Sequence, residues 1–131
     1  MNKKTQTWYE LAKNDFDFAE TLTKNKKRLY YCAHFCHQAI EKLLKAAVQE
    51  YTEKIPLRTH NLPKLLEQSG LKISRKQKEF LLRLNPHYIG TKYPEDINKL
   101  YQTYSETFAK NIVKETKEMF AWLEKKLTSK K

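Results

Sequence analysis

The stretch Arg28–Thr52, RLYYCAHFCHQAIEKLLKAAVQEYT, sets the architecture of the chain. Leu29, Cys32, Ala33, Cys36, Ile40, Leu43, Leu44 and Ala47 recur at helical steps and cover roughly half the circumference of one helix. An apolar face that broad belongs to a central helix, packed from more than one side. The other side carries His34, His37, Gln38, Glu41, Lys42, Lys45 and Gln49, in a wedge of roughly 140°. As a solvated face, this wedge would be held by a Glu41–Lys45 pair at i,i+4 spacing. As a cleft wall, it would turn Lys42 and Lys45 toward phosphates, and Gln38 or Glu41 toward a nucleobase or ribose.

Helical periodicity continues on both sides. From about Thr5 to Lys24, the residues Trp8, Leu11, Ala12, Asp15, Phe18, Ala19 and Leu22 form one face. Pro56 and the turn after it stop the central helix. A short helix over about Leu62 to Gln68 follows the N-cap Asn61, carries Pro63 in its first turn and ends before Gly70. The next runs from Ser74 to about Leu84, where Pro86 halts it. The last begins near Thr103 or Ser105, with Thr103 and Glu106 at capping-box spacing. Its core face is Phe108, Ile112, Thr116, Met119, Phe120, Leu123 and Leu127, with Trp122 at the edge, and Lys130 and Lys131 form a frayed tail. The aromatic segment from Asn85 to Gln102 reads as a long ordered loop. No period-two alternation marks a strand. The expected fold is all-α: an up-and-down antiparallel bundle of four main helices plus a short fifth, with a long ordered loop before the last helix. It is one domain over residues 1–131, with its core at about 5–127.

Composition narrows the chemistry. The 131 residues hold 26 Lys and Arg against 15 Asp and Glu, a formal charge of +11. That surplus attracts polyanions in a salt-dependent way. Only four of the cations are Arg (Arg28, Arg58, Arg75, Arg83), so base readout through the planar guanidinium fork is not indicated. The first glycine is Gly70, which excludes a Gly-rich phosphate loop opening an N-terminal βα unit. No secretory signal or membrane-spanning run is evident, so a soluble, cytoplasmic protein with no membrane partner is expected.

Three groups of residues could carry chemistry. Asp15 lies in the apolar face of the first helix and must be bonded or paired there. It reads either as an acceptor for backbone amides or a buried His or Tyr, or as a cleft carboxylate orienting His60 or a loop cation. Cys32, His34, Cys36 and His37 look like a metal box, but they diverge around the helix and cannot converge on one tetrahedral ion. Buried free thiols are the expected outcome, with no metal and no cofactor. His60, Arg83, His87 and Lys92 could supply the acid, base and cation of metal-independent phosphoryl transfer.

Taken together, Trp8, Ala12 and Asp15, then Cys36-His37-Gln38-Ala39-Ile40-Glu41-Lys42-Leu43-Leu44-Lys45-Ala46, Thr59-His60-Asn61-Leu62 with Leu65-Leu66, and Tyr88-Ile89-Gly90-Thr91-Lys92-Tyr93-Pro94 form an ordered set. In that order, over about residues 8 to 125, the chain resembles the HEPN domain (higher eukaryotes and prokaryotes nucleotide-binding). The resemblance implies a helical bundle and a homodimer. It also implies, for small stand-alone members, pairing with a minimal nucleotidyltransferase in what look like toxin–antitoxin modules. Many members are metal-independent ribonucleases, using an arginine and a histidine separated by four to six residues. Some have a tyrosine two residues after that histidine, which the nucleotidyltransferase modifies with AMP.

Here the spacing departs from that pattern. Arg83 and His87 have three residues between them, Pro86 among these, and Tyr88 follows His87 directly. Lys92 stands where relatives commonly have Arg, so a monodentate contact replaces a bidentate grip. The expected function is therefore binding of a nucleotide or RNA in a cleft lined by Gln38, Glu41, Lys42, Lys45, His60, Lys92 and Tyr93. The alternative is a metal-independent endoribonuclease toxin using a His/Arg or His/Lys pair, with Arg83 and His87 as its catalytic residues. A third reading is a helical adaptor whose charge docks an acidic protein.

Overall fold

A computed structural model describes residues 1–88 and 97–129, with nothing described of the Ile97 and Lys99 side chains. Among the described residues six helices run in chain order: α1 (Lys3–Thr21), α2 (Leu29–Thr52), α3 (Leu62–Ser69), α4 (Arg75–Leu84), α5 (Ile97–Thr103) and α6 (Glu106–Thr128). A 3-10 turn, Asn85–His87, continues α4. Among the described residues there is no strand, and no helix is long and apolar enough to cross a membrane.

Side-chain caps fix most of the helix starts. Asn2 accepts from the Thr5 amide, Asn61 from Lys64, and Ser105 from Phe108. Ser74 and Gln77 form a complete capping box at α4. The last helix is thus capped by Ser105, not by Thr103, which ends α5. Gly70 closes α3 at φ +73°, a left-handed conformation that glycine adopts without strain. At the end of α2 that conformation falls to Glu53 (φ 59°), so the helix terminates before Pro56 is reached.

The central position of α2 is confirmed. It packs most extensively against α1, then α6 and α3. Ile40, Leu43 and Leu44 are fully buried in a core shared with Phe16, Leu65, Leu81, Leu84, Phe120 and Leu123. Burying one such Leu or Ile side chain stabilises the fold by about 1.5–3 kcal/mol.

Two expectations need correction. The core face of α1 is Thr5, Ala12, Phe16 and Ala19, followed by Leu22 just past the helix end; Leu11 and Phe18 are exposed instead. The face is rotated because α1 packs along α2, with Phe16 reaching past it to stack on Phe120 of α6 at 5.4 Å. The segment read as one loop before the last helix holds the 3-10 turn and the whole of α5. Pro86 suits this turn because its missing N–H is not needed there.

Candidate functional site

The polar strip of α2 is not a solvated face. His37 is fully buried, and Glu41 and Gln49 are nearly so. A carboxylate at that depth must have both oxygens engaged, and Glu41 does. Nδ1–H of His60 donates to Oε1 at 2.8 Å, and Nζ of Lys45 donates to Oε2 at 3.1 Å. The Lys45 ammonium also lies 5.4 Å from the Trp8 ring centroid, adding a cation–π contact from α1. One carboxylate therefore gathers side chains from two segments of the chain, while a third adds its ring to the ammonium.

Local structure explains the convergence. His60 sits between Thr59 and the α3 cap Asn61, whose backbone amide donates to Thr59 Oγ1 at 3.1 Å. The next amide, Leu62 N, donates to Asn85 Oδ1 at 2.8 Å, tying the start of α3 to the 3-10 turn. That tie brings Tyr88 against both histidines, with its ring centroid 4.8 Å from His60 and 5.3 Å from His37. His60 remains 62% exposed at its side chain, whereas Glu41 beneath it is 8% exposed. With Nδ1 committed to the carboxylate, Nε2 is the nitrogen left to meet a ligand, either as acceptor or as base.

His37 forms the floor. Among the described residues neither ring nitrogen makes a hydrogen bond of good geometry, and Glu41 Oε1 lies 3.7 Å away. Burial pushes its pKa down to about 4, against the opposing pull of Glu41 and the His60 backbone, so the ring is neutral at physiological pH. Burial also lowers the pKa of His34, whose Nε2 lies 2.5 Å from Gln38 Nε2.

Asp15 is neither an amide acceptor nor a partner of His60. It pairs with Lys42 at 2.5 Å, both groups mostly buried, which locks α1 to α2 beside the cluster. The structure thus brings together Glu41, Lys45 and His60, with Gln38 of α2 and the α1–α2 pair Asp15–Lys42 alongside them. Lys92 and Tyr93 lie outside the described residues. Arg83 and His87 are engaged with other groups. Arg83 forks onto Glu115 of α6 at 2.6 and 2.8 Å, and His87 Nδ1 lies 2.8 Å from the Tyr104 hydroxyl while its ring packs on Phe108.

His37 and Tyr88 were not singled out as site residues from the sequence, though His37 is spaced i,i+4 from Glu41. Cys32 and Cys36 are buried free thiols, as expected, and Cys32 Sγ donates to the Ala19 carbonyl at 3.2 Å. Among the described residues no group of three or more His, Cys, Asp or Glu side chains could hold a metal ion. A separate open groove of about 370 Å³ lies between α4 and α6, lined in part by Phe80, Met119 and Trp122, and shares no residue with the Glu41 cluster.

Comparison with known proteins gives one family and one fold. The family model described as the HEPN domain matches residues 5–126. The crystal structure of TT1696 from Thermus thermophilus superposes with a TM-score of 0.78 at 17% identity, covering 95% of this chain and 99% of that one. At that identity the likeness speaks for the fold. No curated protein matches the sequence.

Proposed function

This chain belongs to the HEPN family, one associated with nucleotide- and RNA-related functions, and from that premise we propose that it binds a nucleotide or RNA at the Glu41 cluster. The observation that carries the proposal is the buried Glu41 holding the exposed His60 and the ammonium of Lys45 at one point. Lys45 supplies charge for a phosphate. Tyr88 and His60 offer ring faces on which a base can stack, and the exposed His60 ring can give or take a hydrogen bond through Nε2. Gln38 and Lys42 extend the polar wall along α2, and Lys92 and Tyr93 complete the ligand-binding set. Binding is the role, not turnover, and the working assembly is a homodimer paired with a minimal nucleotidyltransferase in a toxin–antitoxin module. Titration of ATP, GTP and short RNAs at low salt tests the binding. Saturable binding that a Lys42→Ala, Lys92→Ala double variant loses supports it; no binding, or binding indifferent to that variant, contradicts it. Copurification of the chain with the product of an adjacent nucleotidyltransferase gene tests the pairing.

A second reading, a metal-independent endoribonuclease, is favoured by the orientation of His60: a carboxylate-held imidazole with Nε2 free is suited to general-base work. Arg83 and His87 would serve as its catalytic residues only after Arg83 leaves Glu115. RNA cleavage in EDTA that is lost in His60→Ala favours the first arrangement, and loss in His87→Ala the second.

A further inference from the structure

The turn joining α1 to α2 reads Lys24-Asn25-Lys26-Lys27-Arg28, four cations in five residues, all of them exposed. None of the four is ion-paired among the described residues; the nearest acidic residue in sequence, Glu20, is engaged by Lys117 at 3.9 Å. The turn has a defined backbone. The Asn25 amide donates to the Leu22 carbonyl, Arg28 to Asn25 and Tyr31 to Arg28, so each bond closes one tight turn and hands on to the next. Directly after it, the Tyr30 and Tyr31 rings lie 4.2 Å apart, and Tyr31 is 38% exposed.

From this turn a single line of side chains leads to the Glu41 cluster. Tyr30, His34, Gln38 and Glu41 are spaced i, i+4, i+8 and i+11, which places them within one narrow stripe of α2. Tyr30, His34 and Gln38 are half-buried, so neighbouring side chains partly cover this line. At about 1.5 Å per residue the line from Tyr30 to Glu41 is roughly 16 Å long, longer than a mononucleotide needs.

We propose that the ligand is a single-stranded RNA whose backbone is gripped by Lys24, Lys26, Lys27 and Arg28, whose bases pass over Tyr31, and which runs along α2 to the Glu41–His60 cluster. This rests on the nucleotide-site reading above and adds a second contact region to it. The chemistry favours a single strand: unpaired cations attract any polyanion, but an exposed aromatic face beside them rewards unstacked bases. With the charge carried mostly by Lys, phosphate is gripped without sequence readout.

The test uses the full chain with a labelled oligouridylate about ten nucleotides long, titrated across a range of salt, with ATP titrated in parallel. Changing Lys24, Lys26, Lys27 and Arg28 together to Gln should flatten the log–log salt dependence of oligonucleotide binding by roughly 2–3 and leave ATP affinity unchanged. Tyr31→Ala should weaken the oligonucleotide roughly fivefold or more and leave ATP untouched. An unchanged salt slope in the fourfold variant overturns the proposal. So does equal binding of a duplex of the same sequence, or loss of heparin binding in step with RNA while Tyr31→Ala has no effect, which would mark a general polyanion patch. If wild type binds ATP but not the oligonucleotide, this inference fails and the nucleotide site stands. If the oligonucleotide binds through the turn while ATP does not bind and His60→Ala leaves the oligonucleotide affinity unchanged, the site reading fails instead.

Discussion

Oε1 of Glu41 lies 2.8 Å from Nδ1 of His60, although the two residues stand on different segments and only the histidine reaches solvent. The carboxylate is buried at the centre of α2, with its second oxygen on Lys45. A charge in that position is destabilising unless both oxygens are bonded, so the cluster is held together by the cost of breaking it. The same geometry fixes the tautomer of His60 and holds an ammonium beside it.

Removing the carboxylate should therefore be expensive. Glu41→Ala leaves the mostly buried Lys45 ammonium uncompensated and is expected to lower unfolding free energy by roughly 3–5 kcal/mol in urea denaturation. Glu41→Gln keeps an acceptor but leaves the same ammonium uncompensated, so it should cost most of that amount. Equal, small effects of the two would show that the cluster is not stabilised by the charge.

Acid sensitivity should trace to His37. Its folded pKa is pushed down to about 4 from an ordinary 6.5, so between those values the unfolded chain holds a proton that the folded chain lacks. Stability attributable to this group is complete above about pH 6.5, falls as the pH drops and levels off below about 4, for a total on the order of 3 kcal/mol. Glu41, His60 and His34 all face this ring, with Glu41 opposing the shift and the two imidazoles reinforcing it. His37→Phe should flatten the urea midpoint between pH 7 and pH 4. A midpoint that falls as steeply in the variant as in wild type would assign the acid sensitivity elsewhere.

The Arg83–Glu115 fork should matter little to either stability or binding. Arg83 is more than half exposed, so solvent screens the pair, and Arg83→Ala is expected to change stability by less than about 1 kcal/mol. Affinity for ATP should be unchanged. A tenfold or greater loss of affinity in Arg83→Ala would move the ligand toward α4 and α6.

At the end of α2, Glu53 holds a left-handed conformation that glycine adopts freely. Glu53→Gly is expected to stabilise the protein by up to about 1 kcal/mol, read as a raised thermal midpoint. A lowered midpoint would mean that the extra freedom of glycine in the unfolded chain outweighs the relief.

The helices were legible from the sequence wherever a broad apolar repeat met a capping residue, as at Asn61 and Ser74. The rotation of α1 was not, because Leu11 and Phe18 fit a helical face as well as Phe16 does, and only the tertiary packing of α1 on α2 and Phe120 separates them. Helix α5 was missed because its apolar repeat, Ile97, Leu100 and Tyr101, lasts a single turn. For the site, the α2 wedge and His60 were visible as candidates, but their union depends on the Leu62–Asn85 hydrogen bond, a contact between residues 23 positions apart. The burial of His37 and Glu41 was hidden for a related reason: polar residues at helical spacing look solvated until the segments covering them are placed.

The four histidines provide the most direct test, since His60 and His37 belong to the cluster while His87 sits with Tyr104 at the start of α6. Imidazole resonances should be followed by NMR as ATP is titrated into the full chain at low salt. The account predicts that His60 and His37 shift together and saturate while His87 stays fixed. A saturating shift at His87 with His60 unmoved would contradict it.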